Sequence, residues 1–132
     1  MQTINYQIVH ISVPDKKTAE KIARGLVEKR LAACVQMISG VTSVYWWEEK
    51  TQKGEEVILL AKTRAALFPE LLLFVKENHP DQVPEVIAMP IAEANPAYID
   101  WLGANSTFTA LPMHPEDMPK PPSRPQPPPE EK

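Results

Sequence analysis

The sequence predicts an α+β sandwich, an antiparallel sheet with helices packed against it, and three observations predict it. Apolar residues alternate between a period of two and a period near 3.6, in the order β-α-β-β-α-β-α. One β-rich stretch, 33–47, runs much longer than its neighbours. The apolar pattern ends near residue 106, so these elements must share one modest core.

In Gln7–Val13, Val9, Ile11 and Val13 fall on one side and Ile8, His10 and Ser12 on the other, the alternation of a strand. Pro14-Asp15 opens a helix with Asp15 as N-cap. Ala19, Ile22, Ala23, Leu26 and Val27 then form one apolar face. Gly25 within that helix costs about 1 kcal/mol against alanine, and close packing on a sheet would account for it.

Ala33–Trp47 is the long strand, interrupted at Ser39-Gly40, where a bulge or bend is expected. Glu48–Lys53 reads as a polar turn, and Glu55–Thr63 as a strand with Val57, Leu59 and Ala61 on one face. A second helix has Pro69 in its first turn, buries Leu67, Leu71, Leu72, Phe74 and Val75, and ends at Asn78-His79-Pro80. Val86–Met89 is a short strand closed by Pro90. Asn95-Pro96 caps a last helix that carries Tyr98, Ile99, Trp101 and Leu102. Two split βαβ halves of this kind make a ferredoxin-like βαββαβ sandwich with an extra C-terminal helix.

The remainder of the chain, 107–132, reads as a Pro-rich disordered tail beyond a domain of residues 1–106. Nine of the twenty-one positions from Pro112 to Lys132 are proline, leaving too few apolar groups to offset ordering entropy.

The net charge of −3, without a Lys/Arg cluster, argues against nucleic acid. No run approaches the roughly 20 apolar residues of a membrane span. The single cysteine, Cys34, suits a reducing compartment, and the N-terminus lacks the blocks of a signal peptide. The cytoplasm is the expected location.

A strand over 33–47 would span roughly 50 Å at about 3.3 Å per residue, whereas a domain of this size has a radius of gyration of about 13 Å. Either it bends at Gly40 or the hairpin projects as an arm. The outer part carries Val44, Tyr45, Trp46 and Trp47, an edge that would aggregate if nothing covered it. A helix of the same chain is one cover and a second copy the better one. Dimer and trimer fit these observations equally.

No phosphate loop, nucleophile elbow or metal-spaced histidine pair is present, so no enzyme is expected. Cys34 is either a buried small hydrophobe or a soft-metal ligand, and His79 either a helix terminator or the imidazole partner of such a site. Glu56 and Lys62 share one strand face with Ile58 and Leu60 between them. That pattern is an exposed face or a polar site with apolar walls.

The residues identify a resemblance. Leu31-Ala32-Ala33-Cys34, Ser43-Val44-Tyr45-Trp46-Trp47-Glu48, Glu56-Val57 with Lys62-Thr63, His79-Pro80 followed by Val83-Pro84-Glu85, and Tyr98 with Trp101 stand in order and at the right distances. From about Ile8 to Ser106 the chain resembles the CutA divalent-cation-tolerance proteins. The resemblance implies a trimer joined through long hairpins, similar in architecture to the PII signalling proteins. It also implies tolerance of or response to divalent metal, copper among them. The ligand-pocket residues it implies are Trp47, Glu56, Lys62, Glu85, Tyr98 and Trp101, with Cys34 and His79 as metal ligands and copper or another divalent cation as cofactor. An anionic metabolite in a PII-like sensor is the competing reading. Two positions depart from the family pattern: Glu49, where glycine is usual, and Asp81, where an aromatic is usual.

Overall fold

The structure is a computed structural model, described over residues 5–107; the expected tail from 108 onward lies outside the described residues. The elements are β1 (Tyr6–Val13), α1 (Lys16–Glu28), β2 (Cys34–Trp47), β3 (Lys50–Arg64), α2 (Phe68–Asn78) after a 3-10 turn at Ala65–Leu67, β4 (Val86–Pro90) and α3 (Pro96–Asn105). The strands form one sheet in the order β2-β3-β1-β4, each neighbouring pair antiparallel. This is the ferredoxin-like arrangement, with α1 and α2 on one face.

The core follows from the alternation in the strands. Val9, Ile11 and Val13 of β1 and Leu59 and Ala61 of β3 are fully buried against Ala19, Ile22 and Leu26 of α1 and Leu71 and Val75 of α2. The helix stripes are narrower than the sequence pattern: Val27 is 42% exposed, and Leu72 and Phe74 are only half-buried.

Local chemistry sets the helix ends. Asp15 accepts from the Thr18 amide (2.8 Å) and the Thr18 hydroxyl (2.9 Å), and the amide bond above all holds its carboxyl below the usual aspartate range. α1 closes in a Schellman motif, with Leu31 N–H bonded to the Leu26 carbonyl and Arg30 N–H to that of Val27. Arg30 occupies the left-handed position, at φ 61°, where glycine is usual. Asn95 caps α3 through the Ala97 amide, with Pro96 in its first turn.

Two expectations are corrected. The close approach at Gly25 is to α2, not to the sheet: a Cβ there would collide with Cζ of Phe74. The polar turn at Glu48–Lys53 shrinks to two residues, because β3 begins at Lys50, which pairs with Trp47. Glu48 (φ 51°) and Glu49 (φ 62°) make that turn in the left-handed region, the backbone that a two-residue hairpin needs to match strand twist.

The long strand both bends and projects. Pairing shifts register between Ile38 and Val41 around Gly40 (φ 72°), so three steps on β2 oppose two on β3. The extra residue is a bulge. β1 pairs with β3 only from Val57 to Arg64. Beyond it Val41–Trp47 and Lys50–Glu56 stand as a two-stranded arm of about 23 Å.

Candidate functional site

Residues paired across an antiparallel ladder share a face. The register therefore places Ile8, His10 and Ser12 of β1, Cys34 and Ile38 of β2, and Glu56, Ile58 and Lys62 of β3 on the face away from α1 and α2. The bulge then decides the arm. Trp47 is thirteen residues from Cys34, an odd number that would set the two on opposite faces of a regular strand. The one extra residue at Gly40 restores Val41, Ser43, Tyr45 and Trp47 to the face of Cys34 and Glu56.

One end of this face is covered by α3. Arg64 donates to the Gly103 carbonyl from Nη2 (2.6 Å) and Nε (3.2 Å), and its guanidinium lies 5.5 Å from the Tyr6 ring. Held in this way, α3 brings Tyr98 to Lys62, whose Nζ is 5.7 Å from the ring centroid, and Trp101 packs on Tyr98 at 5.7 Å with planes tilted by 40°. Cys34 stands directly opposite Lys62 on the ladder. Lys62 is half-buried, and among the described residues no carboxylate lies at ion-pair distance from it. The Tyr98 hydroxyl is buried and has no hydrogen-bond partner among the described residues.

Further along, Glu56 accepts from the hydroxyls of Ser12 and Ser43, one carboxylate tying β1, β2 and β3 together at the base of the arm. Glu85, before β4, lies 3.6 Å from His10 Nε2. Trp47 sits near the arm tip, 61% exposed. Of the expected pocket residues, Lys62, Tyr98 and Trp101 meet within one chain. Glu56 and Glu85 share the open face without reaching them, and Trp47 is remote.

His79 is placed elsewhere. Its ring is buried, Nδ1 accepting from the Asp81 amide (3.0 Å) and Nε2 therefore donating to the Ser12 carbonyl (2.7 Å). The helix carbonyl that a terminal histidine would meet is taken instead by Asn78, whose Nδ2 donates to Phe74 O. Asp81, the departure from the family pattern, puts its carboxylate 3.8 Å from Nδ1. Ser12 pairs with Ile58 and Cys34 with Lys62, four residues apart on β3, so one chain does not bring Cys34 and His79 together. Among the described residues no three His, Cys, Asp or Glu side chains converge as a metal set.

Sequence reasoning missed Ser12 and Ser43 as partners of Glu56, and Arg64 as the anchor of α3. The serines become visible only once the register is known. Arg64 ends a strand of alternating pattern with nothing to mark it.

Fold and face together define a class, a small ferredoxin-like protein that presents a mixed polar and aromatic sheet face and an aromatic arm. Residues 7–105 match the family model described as CutA1 divalent ion tolerance protein. The chain is 47% identical over 100 residues to the divalent-cation tolerance protein CutA of Thermus thermophilus, covering 76% of this chain and 97% of that one. It is 43% identical to protein CutA of Mus musculus, covering 77% of this chain but only 60% of the mouse protein. Among solved structures, the divalent cation tolerance protein (Cut A1) from Thermus thermophilus superposes with a TM-score of 0.75 at 46% identity, covering 77% of this chain and 99% of that one. CutA1 from Oryza sativa gives 0.73 at 43%, covering 76% and 92%. The chain belongs to the CutA1 divalent ion tolerance family.

Proposed function

We propose that copies of this chain assemble into a PII-like trimer through their arms, and that the trimer serves divalent-cation tolerance by binding copper, another divalent cation or a small ligand in clefts between copies. The observation that carries the reading is the arm. Val44 is 69%, Trp46 70% and Trp47 61% exposed in one chain, beyond the reach of β1 and of the helices. An exposed apolar surface of this kind marks an interaction site. The relatives named for divalent-cation tolerance supply the role. Assembly also gives Trp47, Glu56 and Glu85 a way to meet Lys62, Tyr98 and Trp101 across copies, and leaves Cys34 as the accessible soft ligand, since both ring nitrogens of the buried His79 are already bonded within its own chain.

Light scattering on the purified chain tests the assembly. The expected mass is near three chains, with no appreciable monomer at micromolar concentration; a monomeric mass would overturn it. Calorimetric titration with copper and zinc tests the metal. Cys34→Ser replaces a soft ligand by a hard hydroxyl at nearly constant volume and is expected to weaken Cu(I) binding. If neither copper nor zinc binds, the cation reading fails and the small-ligand reading stands.

A second reading is favoured by Lys62, a half-buried cation without a carboxylate partner among the described residues, which fits an anionic metabolite in a sensor.

A further inference from the structure

We propose that the Pro-rich segment 119–125 of this chain docks in the groove between α1 and α2, as an extended strap with its two cations on the groove's carboxylates. The groove lies on the helical side of the sheet, away from Cys34, Glu56 and the arm, so the inference stands apart from the ligand-binding reading.

The groove has a volume of about 410 Å³ and is lined by Lys29 at the end of α1 and by Glu70, Leu73, Phe74 and Glu77 of α2. Its floor is apolar: Leu73 is 58% exposed, and the Phe74 ring is half-buried against Gly25. Its α2 wall is acidic. Glu70 and Glu77 are exposed, and neither forms an ion pair among the described residues. Glu77 stands in the last turn of α2, where the helix dipole disfavours negative charge and a cation alongside is welcome.

The occupant is written in the same sequence. In Pro119-Lys120-Pro121-Pro122-Ser123-Arg124-Pro125 four of seven residues are proline, which favours polyproline II and lowers the entropy lost on docking. In that conformation Lys120 and Arg124 stand about 12 Å apart, at about 3.1 Å per residue. Glu70 and Glu77 lie on one side of α2, about 10.5 Å apart at about 1.5 Å per residue. Side chains as long as these absorb the difference, and Pro121 and Pro122 then fall over Leu73 and Phe74. An aromatic-lined groove is a general seat for a Pro-rich segment, and the carboxylates set its register. Lys29, the groove's cation, is matched by Glu116-Asp117 just ahead of the segment.

The place where the described chain ends also fits. Arg64 ties Gly103 of α3 to the end of β3, from which the 3-10 turn leads into α2. The chain therefore leaves α3 at the end of the sheet where Glu70 stands, in the first turn of α2. Residues 108–118 reach about 34 Å in polyproline II, against about 30 Å across α3, the sheet and the helix layer at about 10 Å each. The ordinary alternative is a furrow between two packed helices, with Glu70 and Glu77 on a solvated face. It leaves the match of spacing and sign without a cause.

The test uses the full 132-residue chain and a zero-length carbodiimide, which joins a lysine to a carboxylate only where the two touch. Linked peptides are mapped by mass spectrometry from the single-chain band of a denaturing gel. Glu28, exposed at the same end of α1 but outside the groove, is the control. Lys120 is expected to join Glu70 at least about fivefold more often than Glu28, because docking concentrates it at one site. High salt should lower that yield by screening the ion pairs. Leu73→Asn, at an exposed position, is expected to lower it about threefold through lost apolar contact. Glu77→Lys suits the helix dipole and so keeps the fold, yet it should bring the Lys120–Glu70 yield down to the Glu28 level. Adding Arg124→Glu should restore it, since the exchanged charges attract again. The proposal is overturned if Lys120 joins Glu28 and Glu70 alike, if Glu77→Lys changes nothing, or if Arg124→Glu fails to restore the yield. It is overturned too if the Lys120–Glu70 link is confined to the two-chain band, because the occupant is then the segment of a second copy.

Discussion

Glu48 and Glu49 turn the hairpin in a backbone region where an L side chain costs roughly 1–2 kcal/mol and glycine nothing. Glycine loses part of that advantage through the larger entropy of the unfolded chain. Glu49→Gly is therefore expected to raise stability by roughly 0.5–1 kcal/mol, read as a higher denaturation midpoint at unchanged slope; a lower midpoint would mean that the Glu49 side chain makes a contact in the assembly. Asp15 acts at a helix start. Its folded pKa lies below its unfolded one, so its contribution is complete above the ordinary value of 3.8 and fades as pH falls through the lower folded value. Asp15→Ala should thus be less stable than wild type at pH 7, and the two unfolding curves should converge in strong acid. A gap that persists there would show that the cap works through geometry rather than charge.

At the scale of elements, close packing decides more than propensity. Gly25→Ala adds up to about 1 kcal/mol of helix preference, but its methyl meets the Phe74 ring, and overpacking costs about 1–3 kcal/mol. The expected result is a net loss, largely recovered in the double variant with Phe74→Leu, which a double-mutant cycle measures as a coupling between α1 and α2. The bulge is the second case. Deleting Gly40 would restore plain alternation and turn Tyr45 and Trp47 away from the face of Cys34 and Glu56. Light scattering should then show a lower assembled mass, while the helices, which pack on the other side of Val57–Ala61, keep their far-UV circular dichroism. An unchanged mass would mean that the arm associates by whichever face it presents.

For the whole molecule the division is between a core closed within one chain and an arm that is not. Val9, Ile11, Leu59 and Leu71 are fully buried by their own chain, and Val44, Trp46 and Trp47 are not. Trp47→Lys places a charge on a surface that assembly would remove from water, where an unpaired ammonium is strongly disfavoured. It is expected to shift the mass toward monomer with secondary structure intact. A full-size assembly in this variant would place the interface elsewhere.

The alternations in 7–13 and 55–63, the helix face from Ala19 to Leu26 and the caps at Asp15 and Asn95 were legible because each is a local pattern of period or hydrogen bonding. So was the irregularity at Ser39-Gly40, since glycine inside a strand marks a break in the ladder. The excess length of the second strand left two outcomes, a bend at Gly40 or a projecting arm, and the strand does both. Tertiary structure decided what depends on pairing between distant segments. The register put Lys62 opposite Cys34 and delivered Ser12 and Ser43 to Glu56. The bulge returned Trp47 to the same face, and Arg64 reached Gly103 to fix α3 over Lys62. It also drew His79 inward to Ser12 and away from Cys34. Periodicity gives the face of a residue within its own element. Which faces then meet is set by ladder register and helix docking, where one residue of slip exchanges inside for outside.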